Sequence, residues 1–300
     1  MSELMIQSKK PQKTYEPGCE LVEGLAWPEG MTRVALGIEY KGTEFHGFQQ
    51  QPNGVKTVQQ ALELALSKVA DEPIALVCAG RTDAGVHATC QVIHFDTRSV
   101  RPNKAWVRGV KPHLPDSISV KWAQEVPPNF HARFSALKRT YRYLLSDAPT
   151  KPALLHDQVT WSAHKLDVEL MQEAAQVLVG EHDFTSFRAT QCQAKSPVRH
   201  IDYVHFARRG DLIVMEICAN AFLHHMVRNI VGVLQAVGAG QKPVGWVSEV
   251  LKACNRSMGG VTAKPFGLYL VNAAYPETFA LPAYSPGPLF IHEPLGGFAP

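Results

Sequence analysis

No run of about 18 apolar residues occurs anywhere in this 300-residue chain, so no membrane-spanning helix is expected. Residues 1–16 carry lysines with no apolar segment behind them, so a secretory signal is not expected either. Six cysteines (Cys19, Cys78, Cys90, Cys192, Cys218, Cys254) form no C-x-x-C pair and keep no regular spacing. Zinc-ribbon and thioredoxin-like readings therefore fail, and reduced thiols acting as small core residues are expected, in the cytoplasm. Charge of one sign is also lacking: 30 Lys+Arg against 27 Asp+Glu leave +3. That excludes a polyanionic tail and the overall basicity of many nucleic-acid binders. What remains, 45% hydrophobic and 19% charged, describes a folded chain of one large or two small domains.

Hydrophobic periodicity orders the chain. Residues 33–40 alternate as a strand, and residues 58–69 carry Val58, Leu62, Ala65, Leu66 and Val69 at helical spacing. Residues 74–79 and 91–95 are short β-type runs, a helix starts near Pro102, and residues 117–122 alternate again. The second half repeats this string. Residues 139–145 alternate, and residues 168–179 form an amphipathic helix ending at Gly180. Two strands flank Arg209-Gly210-Asp211, residues 222–237 read as a long helix, and residues 268–271 as a last strand. Two β-α-β-β-α-β strings predict an α+β fold of two ferredoxin-like halves with a cleft between them. The halves are residues 33–130 and 131–275, flanked by tails at 1–32 and 276–300. The second tail is proline-rich, with Phe279, Leu289, Phe290 and Ile291 as apolar anchors.

Three segments carry candidate chemistry. Ala79-Gly80-Arg81-Thr82-Asp83-Ala84-Gly85-Val86-His87 is a loop between two strands, holding a cation, hydroxyl, carboxylate and imidazole between flexible glycines. A β-turn in which Asp83 accepts backbone N–H groups is the plain structural alternative. The next acid, Asp96, lies at the end of the following strand, so neither a two-carboxylate glycosidase nor a two-metal nuclease fits. A catalytic Asp83 would work without metal, as nucleophile or base.

The second segment, residues 130–143, interleaves Arg133, Lys138, Arg139 and Arg142 with Phe134, Tyr141 and Tyr143. Such mixtures bind phosphate and stack on unpaired bases, although a half-buried strand with solvated arginines reads the same way. Residues 131–146 hold four cations and no acid; residues 185–209 hold five against Asp202 alone. These segments total +8, leaving −5 for the rest of a chain whose net charge is +3, and focused positive charge attracts polyanions. In the third segment, Ala221, His225, Arg228, Gly232 and Gln235 make a stripe of small residues around a cation. Close packing there would bury Arg228, which then needs a carboxylate or phosphate partner. In a helix, His224 and His225 would point about 100° apart, so structural histidines and no metal site are expected.

At these places the chain resembles the TruA-type tRNA pseudouridine synthases, over about residues 34–290. Further matching stretches are Gly37-Ile38-Glu39-Tyr40, Thr57-Val58-Gln59, Phe130-His131-Ala132-Arg133-Phe134-Ser135-Ala136, Asp183-Phe184-Thr185-Ser186-Phe187 and Gly267-Leu268-Tyr269-Leu270, with residues 224–232. The resemblance implies isomerisation of uridine at tRNA positions 38, 39 and 40 of the anticodon arm, without cofactor or metal, by a homodimer. It maps the catalytic aspartate onto Asp83, the base-packing tyrosine onto Tyr141 and the arginine paired with the aspartate onto Arg228. Arg81 joins the site and the RNA-contacting surface, and Arg133, Lys138, Arg139 and Arg142 are RNA-binding candidates. Phe48 stands where a Trp is common and Lys41 where an acid is common, which touches local RNA contacts only. The rival readings are a non-catalytic tRNA-binding or tRNA-folding module, and a phosphodiesterase using His87 or His131.

Overall fold

The computed structural model describes residues 27–284 and 286–291. Residues 1–26, which make up most of the expected N-terminal tail, and 292–300, the end of the C-terminal one, lie outside the described residues. The first half runs β1 (Thr32–Tyr40), α1 (Val58–Ala70), β2 (Leu76–Cys78), β3 (His87–Thr97) and β4 (Ile118–Val126). The helix expected after Pro102 is only a short irregular turn over Ala105–Gly109, with Trp106 buried in it. The second half runs β5 (Lys138–Ser146), β6 (Thr160–Trp161), α2 (Val168–Ala175), β7 (Gly180–Asp183), β8 (Val198–Arg209), β9 (Leu212–Ala219), α3 (Met226–Gly238), α4 (Trp246–Ala253) and β10 (Leu268–Ala274).

Local chemistry fixes the helix starts. Thr57 accepts a hydrogen bond from the Gln60 N–H ahead of α1, and Asp167 accepts one from Leu170 ahead of α2. Asp71, with φ of 59°, ends α1 in a left-handed turn.

Both halves share one sheet, ordered β4-β1-β3-β10-β5-β9-β8-β7, with β2 beside β3 and β6 beside β5. The first half thus reads β4-β1-β3-β2 and the second β10-β5-β9-β8, the same ferredoxin-like order twice. A short parallel pairing, Tyr269 with His87 and Leu270 with Ala88, joins them. β2 and β10 therefore share one edge of β3, since β2 pairs with residues 93–95 and β10 with residues 87–88. The chain between β2 and β3 leaves the sheet in the gap between those two neighbours. That gap is where the glycine-rich loop with Asp83 is displayed.

One face of the sheet carries the helices and the main core, with Leu62 and Leu66 of α1, Met171 of α2 and Ile230 and Leu234 of α3 all fully buried. The other face is covered by the chain after β10: Tyr275, Phe279, Leu281 and Tyr284 pack on one small cluster and Ile291 on another. Of the four expected anchors, Phe279 and Ile291 are covered, while Leu289 and Phe290 are exposed because they lie in a turn at the surface. The five described cysteines are free.

A carboxylate held at the mouth of an arginine-lined cleft

The loop at residues 79–86 is fixed at both ends and in the middle. The buried Gln91 amide of β3 accepts from the Gly80 N–H and donates back to the Gly80 carbonyl. The Thr82 carbonyl accepts from the Phe48 N–H at 3.0 Å, and its hydroxyl meets the Tyr40 hydroxyl at 2.7 Å. The Asp83 carbonyl accepts from the Val86 N–H, closing a turn that needs the φ of +79° at Gly85. Nothing in the sequence pattern alone assigned Gln91, Tyr40 or Thr82 to this clamp; residues this far apart meet only once β1 and β3 are paired.

At the far foot of the loop, His87 is a structural clasp. Its Nδ1 accepts from the Gly42 N–H at 3.1 Å, and its Nε2 faces the carbonyls of Asp157 and Phe266 at 3.1 and 3.0 Å. The ring stacks on Tyr269 at 4.6 Å, and burial pushes its pKa down to about 4. These contacts leave it no proton-transfer role. His131 likewise accepts from the Arg133 and Phe134 N–H groups, with its pKa lowered to about 4 by burial and neighbouring arginines. Of the two imidazoles considered for a phosphodiesterase, His87 is thus held through both ring nitrogens and His131 through its Nδ1.

Arg228, two residues into α3, crosses from the second half to this loop. Its Nε donates to the Ala263 carbonyl at 2.8 Å and its Nη1 to Asp83 Oδ2 at 3.0 Å, with 14% of the Arg228 side chain exposed. The stripe of small residues gives the close approach: a Cβ on Gly232 would stand 1.8 Å from the Val261 carbonyl oxygen. α3 thereby lies directly on residues 261–263, whose carbonyl orients the guanidinium.

The two histidines depart from the sequence reading. α3 begins at Met226, not at 222, because His225 takes φ of +61° and breaks the helical path. The 100° separation of helical neighbours therefore does not apply. His224 Nε2 lies 3.4 Å from Asp83 Oδ1, and His225 Nε2 lies 3.3 Å from Oδ2. Donor atoms of Asp83, His224 and His225 fall within 4.8 Å of one another, a set with metal-ligand chemistry. A cation placed there would face the Arg228 guanidinium already on Oδ2, which works against it.

The surrounding cleft has a volume of about 1030 Å³ and draws its walls from both halves. Arg81, Arg133, Arg139, Arg199 and Arg228 line it, against Asp83 as the one carboxylate among the described residues. Tyr141 forms part of the wall, 8% exposed, with its ring edge-on to Phe222 at 5.0 Å. Burial, reinforced by the Asp83 charge, lifts its hydroxyl above the ordinary tyrosine range, so the ring stays neutral and protonated.

The RNA-binding candidates separate. Arg81 and Arg133 are exposed on the cleft rim. Lys138 is exposed but paired with Asp202 at 2.9 Å, outside the cleft. Arg139 lines the cleft, yet its guanidinium donates to the carbonyls of Ala79, Arg133, Ala136 and Asn220. It ties the loop to β5 more than it offers a charge. Arg142 is a correction: strand alternation turns it to the opposite face, where it is buried. There its Nε donates to Glu216 at 2.6 Å and its Nη1 to the Pro286 and Gly287 carbonyls, so no phosphate can reach it.

Against known proteins, the family model described as tRNA pseudouridine synthase matches residues 37–135 and 174–276. Relatives agree over most of the chain. A tRNA pseudouridine synthase A of Pseudomonas aeruginosa is 58% identical over 262 residues, covering 87% of this chain and 92% of that protein. One of Legionella pneumophila is 55% identical over 261 residues, covering 87% and 99%, and one of Pseudoalteromonas atlantica is 56% identical with the same coverage. The chain belongs to the tRNA pseudouridine synthase family, as a TruA-type isomerase that converts uridine to pseudouridine in tRNA.

Proposed function

We propose that the enzyme acts on uridines 38, 39 and 40 of the anticodon arm, with Asp83 as its catalytic carboxylate. The observation that carries this reading is the one carboxylate that the described residues bring to the cleft, held by Arg228 at 3.0 Å, with Arg81, Arg133, Arg139 and Arg199 also lining the walls. The reaction breaks the N1–C1′ bond, turns the uracil in place and forms C5–C1′; the C5 proton is lost to solvent and N1 gains one. A uridine paired in a stem must first leave the stack, at a cost of a few kcal/mol that phosphate contacts offset. Arg81 and Arg133 on the rim supply such contacts. Tyr141 offers a flat wall against which the freed uracil is retained, and its neutral hydroxyl adds no charge to repel the carboxylate. Arg228 orients Asp83 and pairs with it.

The functional molecule in this reading is a homodimer in the cytoplasm whose subunits share one tRNA, built from the halves 33–130 and 131–275. Incubation of wild-type protein with an anticodon-arm transcript, followed by mapping of pseudouridine, tests the proposal. Modification at 38, 39 or 40 is expected. Tight binding with no isomerisation would instead favour a tRNA-folding module.

A further inference from the structure

His225 is an awkward choice for the place it occupies. Its φ of +61° and ψ of 4° put it in the left-handed region, which glycine and asparagine adopt far more easily. It stands at the cap of α3 and makes no side-chain capping hydrogen bond, where asparagine would supply one. Neither the backbone nor the helix start therefore asks for histidine. The left-handed turn instead folds the ring back over the loop of the other half. Nε2 comes 3.3 Å from Asp83 Oδ2, the same oxygen that receives Arg228 Nη1 at 3.0 Å. A carboxylate oxygen only accepts, so His225 can hold it only through a hydrogen carried on Nε2. The His224 ring lies against His225 at 4.0 Å between centroids and backs it from the solvent side. Among the described contacts, Asp83 Oδ1 meets only His224, which is exposed.

We propose that His225 is a positioning residue for Asp83: with Arg228 it pins Oδ2, so that Oδ1 is the oxygen presented to the substrate. This rests on the reading of Asp83 as the catalytic carboxylate. Strained backbone at a functional site is retained when the side chain it aims is needed there, and displacement of a reacting group by about 1 Å costs about 100-fold in rate.

The test uses substitutions that the left-handed backbone tolerates. His225→Gly and His225→Asn are each compared with wild type in thermal unfolding and in tritium release from tRNA carrying 5-tritiated uridine. The expected result is a melting temperature unchanged or raised, a kcat lowered about 100-fold and a KM within about threefold of wild type. Added imidazole is expected to restore part of the kcat of His225→Gly, because it can refill the vacated place beside Oδ2. Wild-type kcat in His225→Gly, with Asp83→Ala inactive, would overturn this proposal alone. Turnover by Asp83→Ala would overturn it together with the reading beneath it. A fall in melting temperature in both variants would assign the residue to the start of α3 and also overturn it.

Discussion

At the scale of single residues, the same side-chain type does opposite work on the two faces of β5. Arg139 and Tyr141 face the cleft; Arg142, between them and Tyr143, faces the other way and is enclosed with Glu216. Composition could count these arginines but could not tell which would meet solvent, although alternation already divided them by face. Arg142→Ala leaves the buried Glu216 without its cation, held only by the Tyr203 hydroxyl, and is expected to cost about 3–5 kcal/mol in urea unfolding. Arg133→Ala, on the exposed rim, is expected to leave stability within about 0.5 kcal/mol and to raise KM for tRNA instead. Equal stability of the two variants would contradict this division. The histidines were the least legible residues. Their role depends on one positive φ at His225, and the apolar spacing after Phe222 continues through it as if the helix began earlier.

At the scale of elements, the Asp83 loop depends on what is packed against its feet. A Cβ at Gly42 would stand 1.8 Å from the Val86 carbonyl oxygen, and the Gly42 N–H holds His87. Gly42→Ala must push that short turn away from the loop, so it is expected to lower stability by about 1–3 kcal/mol and kcat with it. Calorimetry and tritium release together check both halves of that statement.

His87 adds a pH dependence. Its folded pKa of about 4 lies below its ordinary 6.5, so the unfolded chain binds the proton more readily. The stability it contributes is complete above about pH 6.5 and is lost as pH falls toward 4. Urea unfolding at pH 7 and 4.5 is expected to differ by about 2–3 kcal/mol more in wild type than in His87→Gln. The strands and helices that build this setting were largely legible, since β1, α1, β5, α2, β8 and β9 follow plain periodicity. The two-residue β6, the four-residue β7 and the short α4 were not, because such lengths are below what a periodic pattern can establish.

At the scale of the molecule, the doubled ferredoxin-like order was readable from the repeated string of elements, whereas the joint between the halves was not. A parallel contact of two residue pairs between β3 and β10 leaves no local mark. Yet that joint makes the site: it leaves the gap from which the Asp83 loop emerges and brings α3 of the second half against it. The net charge of +3 conceals this arrangement: of the nine cations in the two basic segments, Arg133, Arg139 and Arg199 line the cleft, where Arg81 and Arg228 join them. Five arginines around one cleft attract a polyanion even where the net charge of the chain is small.

In the proposed reading, Asp83 carries the chemistry while the arginine-lined cleft carries the binding. Tritium release and tRNA affinity, measured on the same preparation of Asp83→Ala, address it most directly. Expected for Asp83→Ala are tRNA binding within about threefold of wild type and no release above background. Sustained tritium release by Asp83→Ala would contradict it.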